Sequence, residues 1–392
     1  MRGLGCPDGF PQWLLTNLQD FPHHGHTMFP LLRTIALNLL VLGLMMVAVE
    51  GLTSIGLLVY DVVTTPLLTE RNHTRYDPDL GWVNIPNLHV SDLYGPNTSL
   101  KTNEQGFRND QTFDIAVPKG KVRLFCTGDS FTLGYGVDNN HTWCELLKSY
   151  NPRLETVNMG QGGYGIDQAY LWYKRDGAKF QHQIQLLAFI TDDFFRTSAD
   201  TFLGYAKPVI KEQDGRLLVT NVPVPRRSFD HSWITAQTAN LYTWRTFQFI
   251  DRALKKLGLI RAESRSTKLT AREASEQTRN VLRKIFADLK QVNDKQSSHL
   301  VLVYFPVERE LTTEVPREWI NFLEAEAAAQ NILLVNFFDD FQSLPHKDIV
   351  AMYRNKDGHF TERGNAFVAK IMYEKLSHHP DLSTLLTSGG RQ

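Results

Sequence analysis

From Lys121 onward, short apolar runs of strand character alternate with longer segments of helical period, and few folds accept that alternation. Val122–Thr127, Glu155–Met159, Ile184–Ile190, His299–Phe305 and Ile332–Phe337 read as strands. Thr142–Tyr150, Ile166–Phe180, Glu273–Val292 and Arg317–Gln330 read as helices. In the third of these, Val281, Leu282, Ile285, Phe286, Leu289 and Val292 fall on one stripe. A last helix runs from about Glu362 to Leu376, with Phe367, Val368, Ile371 and Met372 inward and Thr361 as its N-cap. Strands joined through helical crossovers pair in parallel and need cover on both faces. The expectation is an α/β chain: a three-layer α/β/α domain around a parallel five-stranded sheet.

The rhythm breaks once. Pro208–Val222 reads as a hairpin turning at Asp214-Gly215, and Ser232–Leu257 reads as a helix outside the alternation. We therefore place the sheet domain at 119–380, with an insertion over 195–295 and a short tail over 381–392. Residues 61–118 are rich in turn signals, among them Asp77-Pro78, Ile85-Pro86-Asn87 and Gly95-Pro96-Asn97, and read as an extended lead-in that wraps the domain.

Ahead of the lead-in lies an apolar segment, Leu31 to Tyr60, interrupted by Arg33, Asn38 and Glu50. As a helix its uncharged core, Thr34–Val49, reaches about 24 Å, and continuation to Tyr60 exceeds the ~30 Å of a bilayer core. The segment shows no polar face and no small-x-small cleavage site before Glu50. It reads as an uncleaved transmembrane signal anchor over 31–60 in contact with membrane lipid, in preference to a cleaved signal peptide. Arg2 and Arg33 precede the span while Arg71 and Arg75 follow it, so flanking charge does not orient it. We expect a single-pass protein with the large C-terminal part outside the cytoplasm. The tail over 1–30, with His23, His24 and His26, reads as solvated, and Met28 as an alternative start.

Lys plus Arg and Asp plus Glu are both 42, so the formal charge is zero. With no basic patch, a nucleic-acid partner is not expected. The three cysteines, Cys6, Cys126 and Cys144, have neither zinc-site nor disulfide-framework spacing. Cys126 reads as a small buried side chain, and a Cys126–Cys144 bridge is not the expected outcome. No metal or other cofactor is expected.

Four short blocks carry the chemistry, each at or just beyond a strand or ahead of the last helix. In an open parallel sheet, ligands bind beyond the carboxyl ends of the strands. The first block is Gly128-Asp129-Ser130-Phe131, where a serine on a strand-to-helix turn can present its hydroxyl. The second is Asn158-Met-Gly160-Gln-Gly162-Gly163-Tyr-Gly165, a glycine-dense loop whose N–H groups can approach an oxyanion. Gly160, Gly162 and Gly165 have Gly-x-Gly-x-x-Gly spacing, but no Lys-Ser or Lys-Thr follows, and the loop is not read as a nucleotide fingerprint. The third is Thr191-Asp192-Asp193-Phe194, and the fourth is Asp357-Gly358-His359. A serine hydroxyl needs an imidazole to take its proton and a carboxylate to orient that imidazole, and the fourth block supplies both within one loop.

Together these blocks resemble the SGNH/GDSL hydrolase family, whose fold is the flavodoxin-like form of the three-layer sheet. Tyr76-Asp-Pro-Asp-Leu-Gly-Trp82, Pro86-Asn87 and Thr102-Asn-Glu-Gln-Gly-Phe-Arg108 resemble the region before the catalytic domain in membrane-anchored members. The resemblance implies Ser130 as nucleophile, His359 as general base and Asp357 as its orienting partner. It implies an oxyanion hole from the N–H groups of Ser130 and Gly163 and the side chain at Asp192. That third position is usually an asparagine amide, and an ionised carboxylate can only accept. Asp192 is therefore protonated through burial, turned away, or a weakness in the site. The implied activity is a serine esterase acting on an acyl ester, acetyl above all, of a carbohydrate or envelope component. An O-acyltransferase to polysaccharide using the same triad and a non-catalytic carbohydrate-binding or assembly protein are the alternatives. Trp233, Tyr242 and Trp244 read as core in preference to a sugar cleft.

Overall fold

The computed structural model describes residues 25–64, 72–203, 205–225, 245–256, 276–312, 317–354 and 357–387. The chain divides into two units. The smaller contains Met1–Pro66 and Ala239–Arg261; the larger contains Leu67–Thr238 and Ala262–Gln392.

The larger unit is built on five parallel strands: β1 (Val122–Gly128), β2 (Leu154–Gly160), β3 (Ile184–Phe189), β4 (His299–Tyr304) and β5 (Leu333–Asn336). Their spatial order is β5-β4-β3-β1-β2, and every pairing is parallel. Read from the other edge this is the 2-1-3-4-5 order of flavodoxin-like sheets. The chain leaves β1 toward β2 on one side and later returns to β3 on the other. That reversal opens a crevice at the carboxyl ends of β1 and β3.

The strands are hydrophobic on both faces because both are covered. Along β1, Val122, Leu124 and Cys126 join one core, with Ile184, Leu186 and Ala188 of β3 and Val301 and Val303 of β4. Phe125, Leu187, Phe189, Leu302 and Tyr304 point into the other. The first core is closed by Trp143, Met352, Val368, Ala369 and Met372, and the second by Tyr173, Leu282, Phe286 and Leu323. The expected three layers are thus present, and emptying one of these positions costs about 2–5 kcal/mol.

The expected elements fall within a few residues of the observed ones. Thr142–Tyr150 breaks into an α-helical turn at Trp143–Leu146 and a 3-10 turn at Leu147–Ser149. The predicted hairpin forms as Val209–Gln213 against Arg216–Thr220. Asp214 and Gly215 both take positive φ, as a two-residue primed turn demands. Of the helix predicted over Ser232–Leu257, Arg245–Lys256 is helical and groups with the smaller unit, while Trp233, Tyr242 and Trp244 lie outside the described residues. Most of the N-terminal tail, 1–24, lies outside them too.

One expectation is corrected. Cys126 and Cys144 form a disulfide, with Cα atoms 6.2 Å apart. Spacing along the chain did not signal it. The pairing comes from packing, which sets the Trp143–Leu146 turn against the face of β1 that carries Cys126.

From Leu67 on, the lead-in groups with the larger unit. Thr74–Asp77 pairs with Gly81–Asn84, and His89–Val90 with Leu100–Lys101. Beyond these hairpins it seals the β2 edge, where the N–H of Arg108 donates to Asn158 O at 2.9 Å and the N–H of Asn158 donates to Asn109 Oδ1 at 2.9 Å. In the smaller unit a single helix, Gly25–Thr64, contains an apolar stretch, Pro30–Leu57, long enough to cross a membrane. Its hydroxyls at Thr34 and Thr53 donate to the carbonyls of Pro30 and Val49 at 2.9 and 2.8 Å.

Candidate active site

β1 ends at Gly128 and the chain turns at once into a four-residue helix, Ser130–Leu133. A Cβ on Gly128 would lie 2.2 Å from the carbonyl oxygen of Ala188 on β3, so only glycine lets the two strand ends come this close. Asp129 caps the helix by accepting the Phe131 N–H at 2.9 Å. Ser130 thus sits in the first helical position at the switch point of the sheet. Arg108 holds the far end of this turn: fully buried, it donates to the carbonyls of Leu133 and Gly134 at 2.6 Å each and of Val137 at 2.5 Å.

His359 and Asp357 come from a tight loop just before the last helix, Glu362–His378. Tyr353 and Phe360 form an antiparallel bridge, and the Arg354 N–H donates to His359 O at 2.8 Å. Thr361 caps the following helix through the Gly364 N–H. The loop so closed puts His359 Nε2 2.8 Å from Ser130 Oγ and His359 Nδ1 3.1 Å from Asp357 Oδ1. Asp357 also accepts the His359 backbone N–H at 3.2 Å. With Nδ1–H donating to the carboxylate, Nε2 is left to accept the serine proton. All three residues named from the sequence meet in the expected order of contacts, and Asp-x-His spacing serves because the loop turns at Gly358, whose φ is +76°.

Residues without a motif complete this side. The imidazole lies between Phe131, at a centroid distance of 5.0 Å, and Tyr135, stacked at 4.5 Å. Tyr94 of the lead-in backs Tyr135 at 4.6 Å. Arg354 joins the two loops, pairing its Nε with Asp357 Oδ2 at 3.2 Å and donating from Nη1 to Gly136 O at 2.5 Å. Burial pushes the Asp357 carboxyl up, but the hydrogen bond and charge of His359, with Arg354, outweigh it and hold the group below its ordinary range.

The other side of Ser130 departs from expectation. β1 and β2 run in register, Gly128 against Gly160, so the glycine loop starts level with the nucleophile turn. Gly163 adopts φ +76°, and a Cβ there would lie 2.2 Å from the Phe202 ring. The N–H groups of Ser130 and Gly163 have no hydrogen-bond acceptor among the described residues, as oxyanion donors require. Asn158, by contrast, spends its amide within the fold, donating to Thr132 O and accepting from the Gly160 N–H, both at 2.9 Å.

Asp192 is engaged by a side chain from outside the four blocks. It lies in the first turn of helix Thr191–Ser198, and its carboxylate pairs with the guanidinium of Arg309. Arg309 arrives from a short helix after β4, Glu308–Thr312, which is tied to the third block by Thr191 Oγ1 at 2.8 Å from Tyr304 Oη and Tyr304 Oη at 2.9 Å from Glu310 Oε2. Beneath the nucleophile, Arg196 bridges Asp193 at 2.7 Å and Asp129 at 3.4 Å. Burial raises both carboxyls, Asp193 further because the Asp129 charge adds to it, and Arg196 opposes the rise in each. Neither Arg196 nor Arg309 sits in a block that sequence could flag.

No family model matches the chain, and no curated protein matches it. Solved structures similar to it include a member of the lipolytic protein G-D-S-L family from Veillonella parvula DSM 2008, at 14% identity, 66% coverage of this chain, 100% of that one and a TM-score of 0.38. A lipase/acylhydrolase from Enterococcus faecalis matches at 11% identity, 65% and 95% coverage and 0.38. An acetyl xylan esterase, AlAXEase, matches at 15%, 65% and 100% coverage and 0.36. Likeness at these scores carries no argument about chemistry, which rests on the geometry of Ser130, His359 and Asp357.

Proposed function

We propose that this chain is a membrane-anchored serine esterase whose catalytic unit lies outside the cytoplasm, acting on acyl esters of a carbohydrate or envelope component. The observation that carries the reading is the relay itself: Ser130 Oγ, His359 Nε2 and Asp357 Oδ1 in successive hydrogen bonds of 2.8 and 3.1 Å. In this reading His359 takes the hydroxyl proton as Ser130 attacks the acyl carbon. The carbonyl oxygen becomes an oxyanion facing the N–H groups of Ser130 and Gly163. His359 then returns the proton to the leaving alkoxide, and an alcohol departs from an acyl-serine. Water enters, gives its proton to His359, and releases the carboxylic acid with Ser130 restored.

Two observations support the placement. The helix through Pro30–Leu57 presents its apolar side chains outward, and the Cys126–Cys144 disulfide suits an oxidising compartment. Turnover of p-nitrophenyl acetate by the full chain in detergent, set beside Ser130→Ala and His359→Ala, tests the chemistry. Acetylated polysaccharide with and without an added sugar acceptor then separates hydrolysis from transfer. The carboxylate at Asp192 favours one second reading, a carbohydrate-binding protein that has given up turnover. That reading requires a folded chain in which the serine variant changes nothing.

A further inference from the structure

The apolar anchor carries one carboxylate along its length, Glu50, and that carboxylate has partners 195 and 196 residues away. Helix Arg245–Lys256 begins against it. The N–H of Arg245, the N–H of Thr246 at 3.1 Å and the Thr246 hydroxyl at 2.6 Å all donate to Glu50. The first N–H groups of a helix have no partner within it, and here a neighbouring helix supplies the cap. The negative charge also meets the positive end of the helix dipole. A carboxylate otherwise costly inside an apolar segment is thereby satisfied.

Among the described side chains of the capped helix, the two exposed ones are apolar. Phe249 and Ile250 are 54% and 45% exposed, and Leu52 and Ile55 on the anchor are 73% and 61% exposed. The two helices pack together, and both carry exposed apolar side chains. The sequence of the short helix, RTFQFIDRALKK, sets four Lys and Arg residues against one Asp. At about 18 Å it is too short to cross a bilayer, while its composition is that of a helix lying in the headgroup layer.

We propose that Arg245–Lys256 is a membrane-interface helix, seated in the leaflet reached by the Glu50 end of the anchor, with anionic lipid as its partner and Glu50 as its lock. The chain passes between its two units at 66/67, 238/239 and 261/262. The segment between β3 and β4 therefore returns to the unit of the anchor before the sheet is finished. This inference is independent of the ester chemistry and rests on the membrane reading of the anchor.

The test uses the full chain with Cys6→Ser, reconstituted in phosphatidylcholine vesicles with and without phosphatidylglycerol. Nitroxides are attached at Phe249→Cys, Ile250→Cys, Leu44→Cys and Ile115→Cys, and collision with oxygen and with a nickel chelate is measured. Expected are an oxygen-favoured signal at 249 and 250, shallower than at 44 and deepened by phosphatidylglycerol, and a water-like signal at 115. Glu50→Gln is expected to shift the 249 signal toward that of 115. Nickel access at 249 and 250 equal to that at 115 overturns the proposal. So does low access to both probes, which means protein covers the face. An unchanged 249 signal in Glu50→Gln removes the lock. A water-like signal at 44 as well overturns the anchor itself, and this inference with it.

Discussion

The two sides of Ser130 are built from different materials. On the side of proton transfer, His359 is held by Asp357, clamped between Phe131 and Tyr135, and braced through Arg354. On the side where negative charge would gather, the N–H groups of Ser130 and Gly163 have no acceptor among the described residues, and the third position holds a carboxylate tied to Arg309. The relay is complete and the charge-stabilising half is reduced. A site can therefore keep the machinery for making a nucleophile while altering what it offers the intermediate.

The harshest way to break this comparison is to remove the relay. Ser130→Ala and His359→Ala should each lower kcat by about 10⁴–10⁶ with KM little changed, measured by steady-state turnover of a nitrophenyl ester. Asp192→Asn sharpens it. If a missing donor limits rate, an amide there should raise kcat by up to about 10², since loss of one such donor costs about 10²–10³. A fall instead would mean that the ion pair with Arg309 shapes the loop more than its charge hinders the reaction.

Arg354→Gln probes the intact side more gently. Asp357 would lose a cation that helps hold its carboxyl low, and kcat should fall about tenfold, equivalent to about 1.4 kcal/mol. The sign with pH follows. The folded value of Asp357 is depressed, so the contribution of its carboxylate is lost as pH falls. In Arg354→Gln that loss should begin at a higher pH, seen as an acid limb of kcat shifted upward, whereas a role in packing alone would leave the limb in place.

The smallest effect concerns the lead-in that braces the relay side through Tyr94 and Arg108. His73 is fully buried with no hydrogen bond to either ring nitrogen, and burial first, then the Arg108 charge, lower its pKa to about 3. The unfolded chain takes up this proton near the ordinary histidine value and the folded chain does not, so stability is lost as pH falls from about 6.5 toward 3. Between pH 7 and 5 the loss should be about 2 kcal/mol. Denaturant unfolding at both pH values, compared with His73→Leu, should show the difference shrinking by about that amount in the variant.

Much of this was legible in the sequence, for local reasons. β1 to β5 announce themselves because strands buried on both faces are nearly continuous apolar runs. Ser130 stands out beside Gly128 at a strand end, and Asp357 with His359 because both members of the pair lie in one loop. What stayed hidden depends on contacts between distant segments. Arg309 follows the fourth strand, Arg196 lies inside a helix, and neither has a neighbour in sequence that betrays a partner. Cys126 and Cys144 pair because a short helix packs on one face of β1. Arg108 ends a stretch that resembles known lead-ins, yet its grip on the carbonyls of Leu133, Gly134 and Val137 is visible only in three dimensions.

The central claim is that Ser130 is an activated nucleophile, and covalent labelling reads that directly. The full chain in detergent is treated with a fluorophosphonate, and the modified peptide is located by mass spectrometry. The account predicts one label, on Ser130, absent in Ser130→Ala, strongly slowed in His359→Ala and undiminished in Asp192→Asn. A folded chain that takes no label, or takes it elsewhere at equal rate in Ser130→Ala, contradicts the account.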